Sequence, residues 1–168
     1  MAELSGFFNS SNGDRLYDSA DFARYFGQLV TNGIFYYIPT NLQVTPGGGM
    51  AISVAPGSAW INGYEYTNTE PVNFTLATAS GVNPRIDRIV IRWSLPLRSI
   101  NLEVLQGAGA VNPSPVALTR TADVYELGIA DILIPAGVAS VTSQNITDTR
   151  LNQSLCGLIS SLVSSVYE

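Results

Sequence analysis

Residues 50–66, MAISVAPGSAWINGYEY, constrain the fold more than any other part of the chain. Met50, Ile52 and Val54 alternate with Ala51, Ser53 and Ala55. A period of two marks a strand with one buried face. Pro56-Gly57 breaks the run, because proline lacks the ladder N–H and glycine tolerates positive φ. Ala59 to Ile61 then read as a second strand that meets Asn62-Gly63. That pair is the strongest two-residue hairpin signal, since both positions accept the left-handed φ of a type I′ turn. Tyr64 and Tyr66 continue on the return strand. The stretch therefore predicts two or three antiparallel strands with Trp60 near their centre, and it contains nothing reactive.

The same alternation recurs downstream. Val72, Phe74 and Leu76 form one strand pattern. In 86–94, Ile89, Ile91 and Trp93 fall on one face, with Arg88, Val90 and Arg92 on the other. Ile100, Leu102 and Val104 return beside them, so Glu103 can pair with Arg92 or Arg88 across the hairpin. Residues 124–134 form a long apolar strand with Gly128 at a bulge. Leu42 and Val44 begin a short strand, and 34–38 (IFYYI) reads as a strand or an extended arm. Residues 116–123 fit either strand or loop, 140–144 either a short strand or a loop, and 146–150 lead out of the sheet region. Pro46-Gly47-Gly48-Gly49 is a turn. A phosphate cradle needs a following helix and usually a lysine, and here a strand follows. Short strands with regular turn signals predict a mainly β chain folded as an antiparallel β-sandwich over residues 1–150.

Two segments carry helical spacing. Asp18 is a candidate N-cap with Asp21 three residues on. Phe22, Phe26 and Leu29, flanked by Tyr25 and Val30, form one apolar stripe, and Asn32-Gly33 closes the helix. This predicts an amphipathic helix near 19–31 lying on the sheet. At the other end Leu155, Leu158, Ile159, Leu162, Val163 and Val166 recur every three or four residues. They predict a C-terminal helix from Asn152 to about Tyr167, a unit of its own over 151–168, packing within the chain or against other copies.

Composition narrows the chemistry. At 168 residues the chain is one domain, or one with a small appendage. It is acidic, at net charge −5, and its eight basic residues are all arginine. Without a basic stripe no nucleic-acid partner is expected. No run reaches a membrane-spanning length and the N-terminus lacks a signal pattern, so no membrane partner is expected. There is no histidine, which removes histidine-based catalysis and the usual zinc sites. The single cysteine, Cys156, has no nearby base and reads as structural. Asp87, Glu103, Asp123, Glu126, Asp131 and Asp148 supply carboxylates, but neighbouring arginines make ion pairs the default over a hydrolytic pair. The chain is expected to be no enzyme and to use no cofactor and no metal. At 46 % hydrophobic and 12 % charged residues it is apolar, and exposed apolar surface usually finds a partner. Candidate protein-interface or glycan-stacking residues are Tyr36, Tyr37, Trp60, Tyr64, Leu158 and Leu162.

Four segments together, 12–35 (NGDRLYDSADFARYFGQLVTNGIF), 54–66 (VAPGSAWINGYEY), 85–92 (RIDRIVIR) and 148–156 (DTRLNQSLC), resemble tail and baseplate-associated structural proteins of siphophages of Gram-positive bacteria, of the Bacillus-phage type. The resemblance implies a β-sandwich like the shoulder domain of lactococcal-phage receptor-binding proteins, and a structural adaptor role in the virion, in the distal tail or baseplate region. It implies other tail and baseplate proteins as partners, and no catalytic residue carries over. In many such proteins the chain continues past the arginine after Asp148-Thr149 into domains that reach the host. This sequence ends at Glu168, which makes receptor binding the lesser expectation. The alternative expectation is a module recognising host cell-wall glycan through Trp60 and Tyr64.

Overall fold

The computed structural model describes residues 5–163. In chain order the elements are α1 (Ser19–Phe26), β1 (Gly33–Ile34), β2 (Val44–Gly48), β3 (Ala51–Val54), β4 (Gly57–Ile61) and β5 (Tyr64–Asn68). Then come β6 (Val72–Thr75), β7 (Arg85–Ser94), β8 (Ser99–Leu105), β9 (Val124–Ile134), a 3-10 turn (Ser143–Asn145) and β10 (Ile146–Asp148). The chain is mainly β. Its strands form three antiparallel sheets, ordered β1-β4-β5, β10-β9-β7-β8 and β2-β3-β6.

The hairpins form where alternation and turn chemistry coincide. Asn62 and Gly63 both adopt positive φ, 52° and 85°, and pair Ile61 with Tyr64. Pro56 then does more than interrupt a strand: it moves the chain between sheets, so β3 and β4 belong to different ones. Ile52 and Val54 of β3, Ala59 and Ile61 of β4, and Ile89, Ile91 and Trp93 of β7 enter one core that all three sheets share. In β9 the ladder to β7 skips Ile129, so the expected bulge sits at Gly128 and Ile129. The backbone groups freed there are used. Gly128 N donates to the Leu155 carbonyl, and Thr149 N donates to the Ile129 carbonyl.

The second face of β7 is not a solvated one. Val90 is fully buried, and Arg88 and Arg92 pair with Asp131 and Glu126. Residues 116–120, without a strand of their own, cover that face. Arg88 donates to the Val116 carbonyl, and the Thr119 amide donates to Glu126. Glu103 does reach Arg92, at 3.9 Å, but Glu126 holds that arginine more closely.

Four expectations are corrected. The segment 146–150 does not leave the sheet, because β10 pairs with β9. The N-terminal helix ends at Gly27, not at Asn32-Gly33. Its aromatic stripe is mostly not laid on the sheet: Phe26 meets Trp60 only edge-on, Phe22 and Phe26 are 47 % and 42 % exposed, and within the helix only Ala23 is buried. Finally, 152–163 is not helical. The Asn152 carboxamide accepts the amide and hydroxyl of Ser154, and the Asn152 carbonyl accepts the amides of Leu155 and Cys156. This single turn stops at Gly157, whose φ of 85° breaks helical continuation. Residues 157–162 then run beside 29–34. Ile34 N donates to Gly157 O, Ile159 N to Ile34 O, Thr31 N to Ser160 O and Leu162 N to Leu29 O. Serine and asparagine compete for helical backbone bonds, and the edge of β1 offers an alternative ladder. The part of the expected helix from Ser164 to Tyr167 lies outside the described residues.

Candidate functional site

α1 starts as the sequence predicts. Asp18 accepts the amides of Ala20 and Asp21, and Asp21 returns a bond to the Asp18 amide, a reciprocal capping box. The helix touches the domain through Ala23, against the Gly63 turn, and through Phe26, edge-on to Trp60 at 5.9 Å. The other rings face outward onto one another. Phe7 contacts Tyr17, Phe22 and Tyr25 at 5.5, 5.6 and 5.0 Å, and Tyr25 contacts Phe26 at 5.5 Å. Six aromatic side chains thus form a continuous series from Tyr17 to Trp60, most of it on the surface. Aromatic rings gain about 0.5–1.5 kcal/mol per well-placed pair, which holds the series together without burying it. Trp60 itself is half-buried, and its indole N–H has no acceptor among the described residues.

A second exposed group follows β1. Phe35, Tyr36, Tyr37 and Ile38 are all exposed, as are Leu158 and Leu162 of the segment alongside. Leu158 stands beside Ile34 and Leu162 beside Leu29, so these exposed side chains are spread along the 29–38 stretch. What fixes the 36–41 arm is Arg150, a residue that sequence patterning does not single out. Its side chain donates to the Pro39 and Asn41 carbonyls and to Asp148, and its guanidinium lies over the Tyr36 ring at 5.7 Å. The only sequence hint was its place in the DTR tripeptide.

Trp60 and Tyr64 do not form the stacking platform expected of them. In the β4–β5 register Trp60 stands opposite Glu65, and Ile61 opposite Tyr64. Neighbours along a strand point to opposite faces, so the two aromatics lie on opposite sides of the sheet. Tyr64 instead packs on Trp93 at 5.8 Å, and Trp93 is only 6 % exposed. The two rings form one wall of a groove of about 600 Å³ bounded by β5, by Ser19 and Ala20 of α1, by Leu95 and Arg98 of the β7–β8 turn and by Ser99 at the start of β8. Burial pushes the Tyr66 hydroxyl above its ordinary pKa of 10.0.

Four of the six candidate carboxylates are held closely by arginines. Asp87 pairs with Arg85 and Asp131 with Arg88, while Glu126 is held by Arg92 and Asp148 by Arg150. Among the described residues no group of three or more metal-ligating side chains converges. Cys156 is buried in the C-terminal turn rather than in a helix. Burial pushes its thiol up to about 12, far from the range of a nucleophile. Comparison with protein-family models, with curated proteins and with solved structures finds no match.

Proposed function

We propose that this chain is a non-enzymatic virion component, a structural adaptor in the distal tail or baseplate region of a phage, and that its strands close as a β-sandwich scaffold. Its partners are other tail and baseplate proteins, its place is the particle, and it engages neither nucleic acid nor membrane. The observation that carries this reading is the exposed aromatic surface of α1 and its N-terminal arm, with Phe7 in contact with Tyr17, Phe22 and Tyr25 and Tyr25 with Phe26. Contiguous exposed apolar surface is a mark of a protein interface, and aromatic rings are enriched at such interfaces. The sequence resemblance supplies the particle in which that interface would sit.

The test is localisation. Antibody labelling or cryo-microscopy of purified particles should place the protein at the tail tip, and its absence from particles would overturn the reading. The glycan-binding alternative has less support, because its two aromatics face opposite ways and Trp93 covers much of Tyr64. Retention of the protein by purified cell wall, lost in Trp60→Ala, would restore it.

A further inference from the structure

The sheet β1-β4-β5 has one covered edge and one open edge. Residues 157–162 bond along β1, whereas nothing among the described residues bonds along the outside of β5. The two-residue turn makes Ile61 and Tyr64 a hydrogen-bonded pair, and alternation does the same for Ala59 and Tyr66. Glu65 and Thr67 therefore direct their N–H and C=O groups outward. The groove is lined by all of Tyr64, Glu65, Tyr66 and Thr67. Residues from both faces of one strand can line a single groove only if it runs along that strand's edge.

The charges at this groove are unpaired and opposite. Seven of the eight arginine side chains engage an acid, a carbonyl or a ring, and the Arg98 side chain alone engages none among the described residues, its backbone N–H donating to Leu95. Arg98 is also held at a φ of 51°, unusual for a side chain of its size. Glu65 meets no cation there and accepts only the Thr67 hydroxyl, at 3.1 Å. A groove carrying one free acid, one free base and one free strand edge is complementary to a copy of itself rotated by two-fold symmetry.

We propose that a second copy of this chain docks at this edge, β5 against β5, antiparallel about a two-fold axis at Tyr66. Glu65 of each copy then exchanges backbone bonds with Thr67 of the partner subunit, and its carboxylate faces Arg98 of the partner subunit. Tyr66 becomes a non-hydrogen-bonded pair with its symmetry mate, the close spacing at which aromatic side chains stack across strands. Two three-stranded sheets become one of six strands, and the open edge, a liability when left free, is closed. The first turn of α1 adds Ser19 and Ala20 to the groove, so this surface adjoins the aromatic one, but the proposal does not depend on the tail assignment.

Sedimentation of the full chain from micromolar to millimolar concentration should show a reversible doubling of mass. Thr67→Pro removes an outward N–H at an edge position that tolerates proline, and it should leave a monomer. Glu65→Arg and Arg98→Glu should each weaken the dimer at least tenfold, and the two together should restore it. Tyr66→Cys should cross-link to its symmetry mate on mild oxidation, while buried Cys156 does not compete. A wild type that stays monomeric at millimolar concentration overturns the proposal. So does a double charge swap no better than the single ones. If Thr67→Pro fails to fold by circular dichroism, the charge swaps and the cross-link decide.

Discussion

Arg150 is 2 % exposed, yet it carries a full charge and spends it on two backbone carbonyls and one carboxylate. Removing it strands the Pro39 and Asn41 carbonyls, and each buried unsatisfied group costs about 1–3 kcal/mol. Arg150→Ala should lose roughly 3 kcal/mol in urea unfolding. Arg150→Lys should recover less than half of that loss, because an ammonium lacks the planar fork. Asp148, its partner, is half-exposed. Burial alone would raise its pKa, but the side-chain and backbone hydrogen bonds and the charge of Arg150 outweigh burial and hold it below 3.8. A carboxyl lowered on folding stabilises fully above its unfolded value and loses that contribution as pH falls through the folded one. Unfolding free energy should therefore decline below about pH 4, with a shallower decline in Asp148→Asn. Cys156 follows the opposite logic. With its thiol at about 12 it stays protonated at pH 8.5, so Ellman's reagent should find no thiol in the native protein and one in denaturant.

At the scale of elements, α1 depends on its cap and on one turn. It is eight residues long, too short to persist by propensity alone. Asp18→Ala should cost about 1 kcal/mol, and hydrogen exchange should accelerate across Ser19–Phe26. Gly63 combines a left-handed φ with contact to the helix backbone: a Cβ there would meet the Ala23 carbonyl oxygen. Gly63→Ala should cost roughly 2–4 kcal/mol, far more than a surface turn would. The strands were legible because alternation over four to eight residues is a local signal. The Asn62-Gly63 turn, the Asp18 cap and the Gly128 bulge were legible for the same reason. The C-terminal segment was misleading because 3–4 spacing of leucines also suits a strand-like tail that buries only some of them. There Cys156 is buried and Leu158 exposed, a choice made by the edge of β1 and not by period.

For the whole molecule, the decisive feature is what the surface leaves uncovered. Tyr25→Ser with Tyr37→Ser removes exposed aromatic area at little cost to the core. The double variant should unfold within about 0.5 kcal/mol of the wild type yet be lost from purified particles. Of the candidate residues, Tyr36, Tyr37, Leu158 and Leu162 are each exposed, whereas Trp60 and Tyr64 lie on opposite faces of their sheet. No count of aromatics distinguishes those outcomes, because a shift of one position along a strand reverses the face.

The sequence by itself determined the strands, their turns, the capped start of α1 and the pairing of Asp87 with Arg85 and of Asp148 with Arg150, since each rests on residues a few positions apart. Only the tertiary structure decided that Pro56 hands the chain to another sheet, that 157–162 closes the β1 edge and that β5 stays open beside an unpaired Arg98. Those outcomes depend on contacts between distant segments, such as Thr31 with Ser160, 129 positions apart, where local pattern carries no information about which backbone groups will meet.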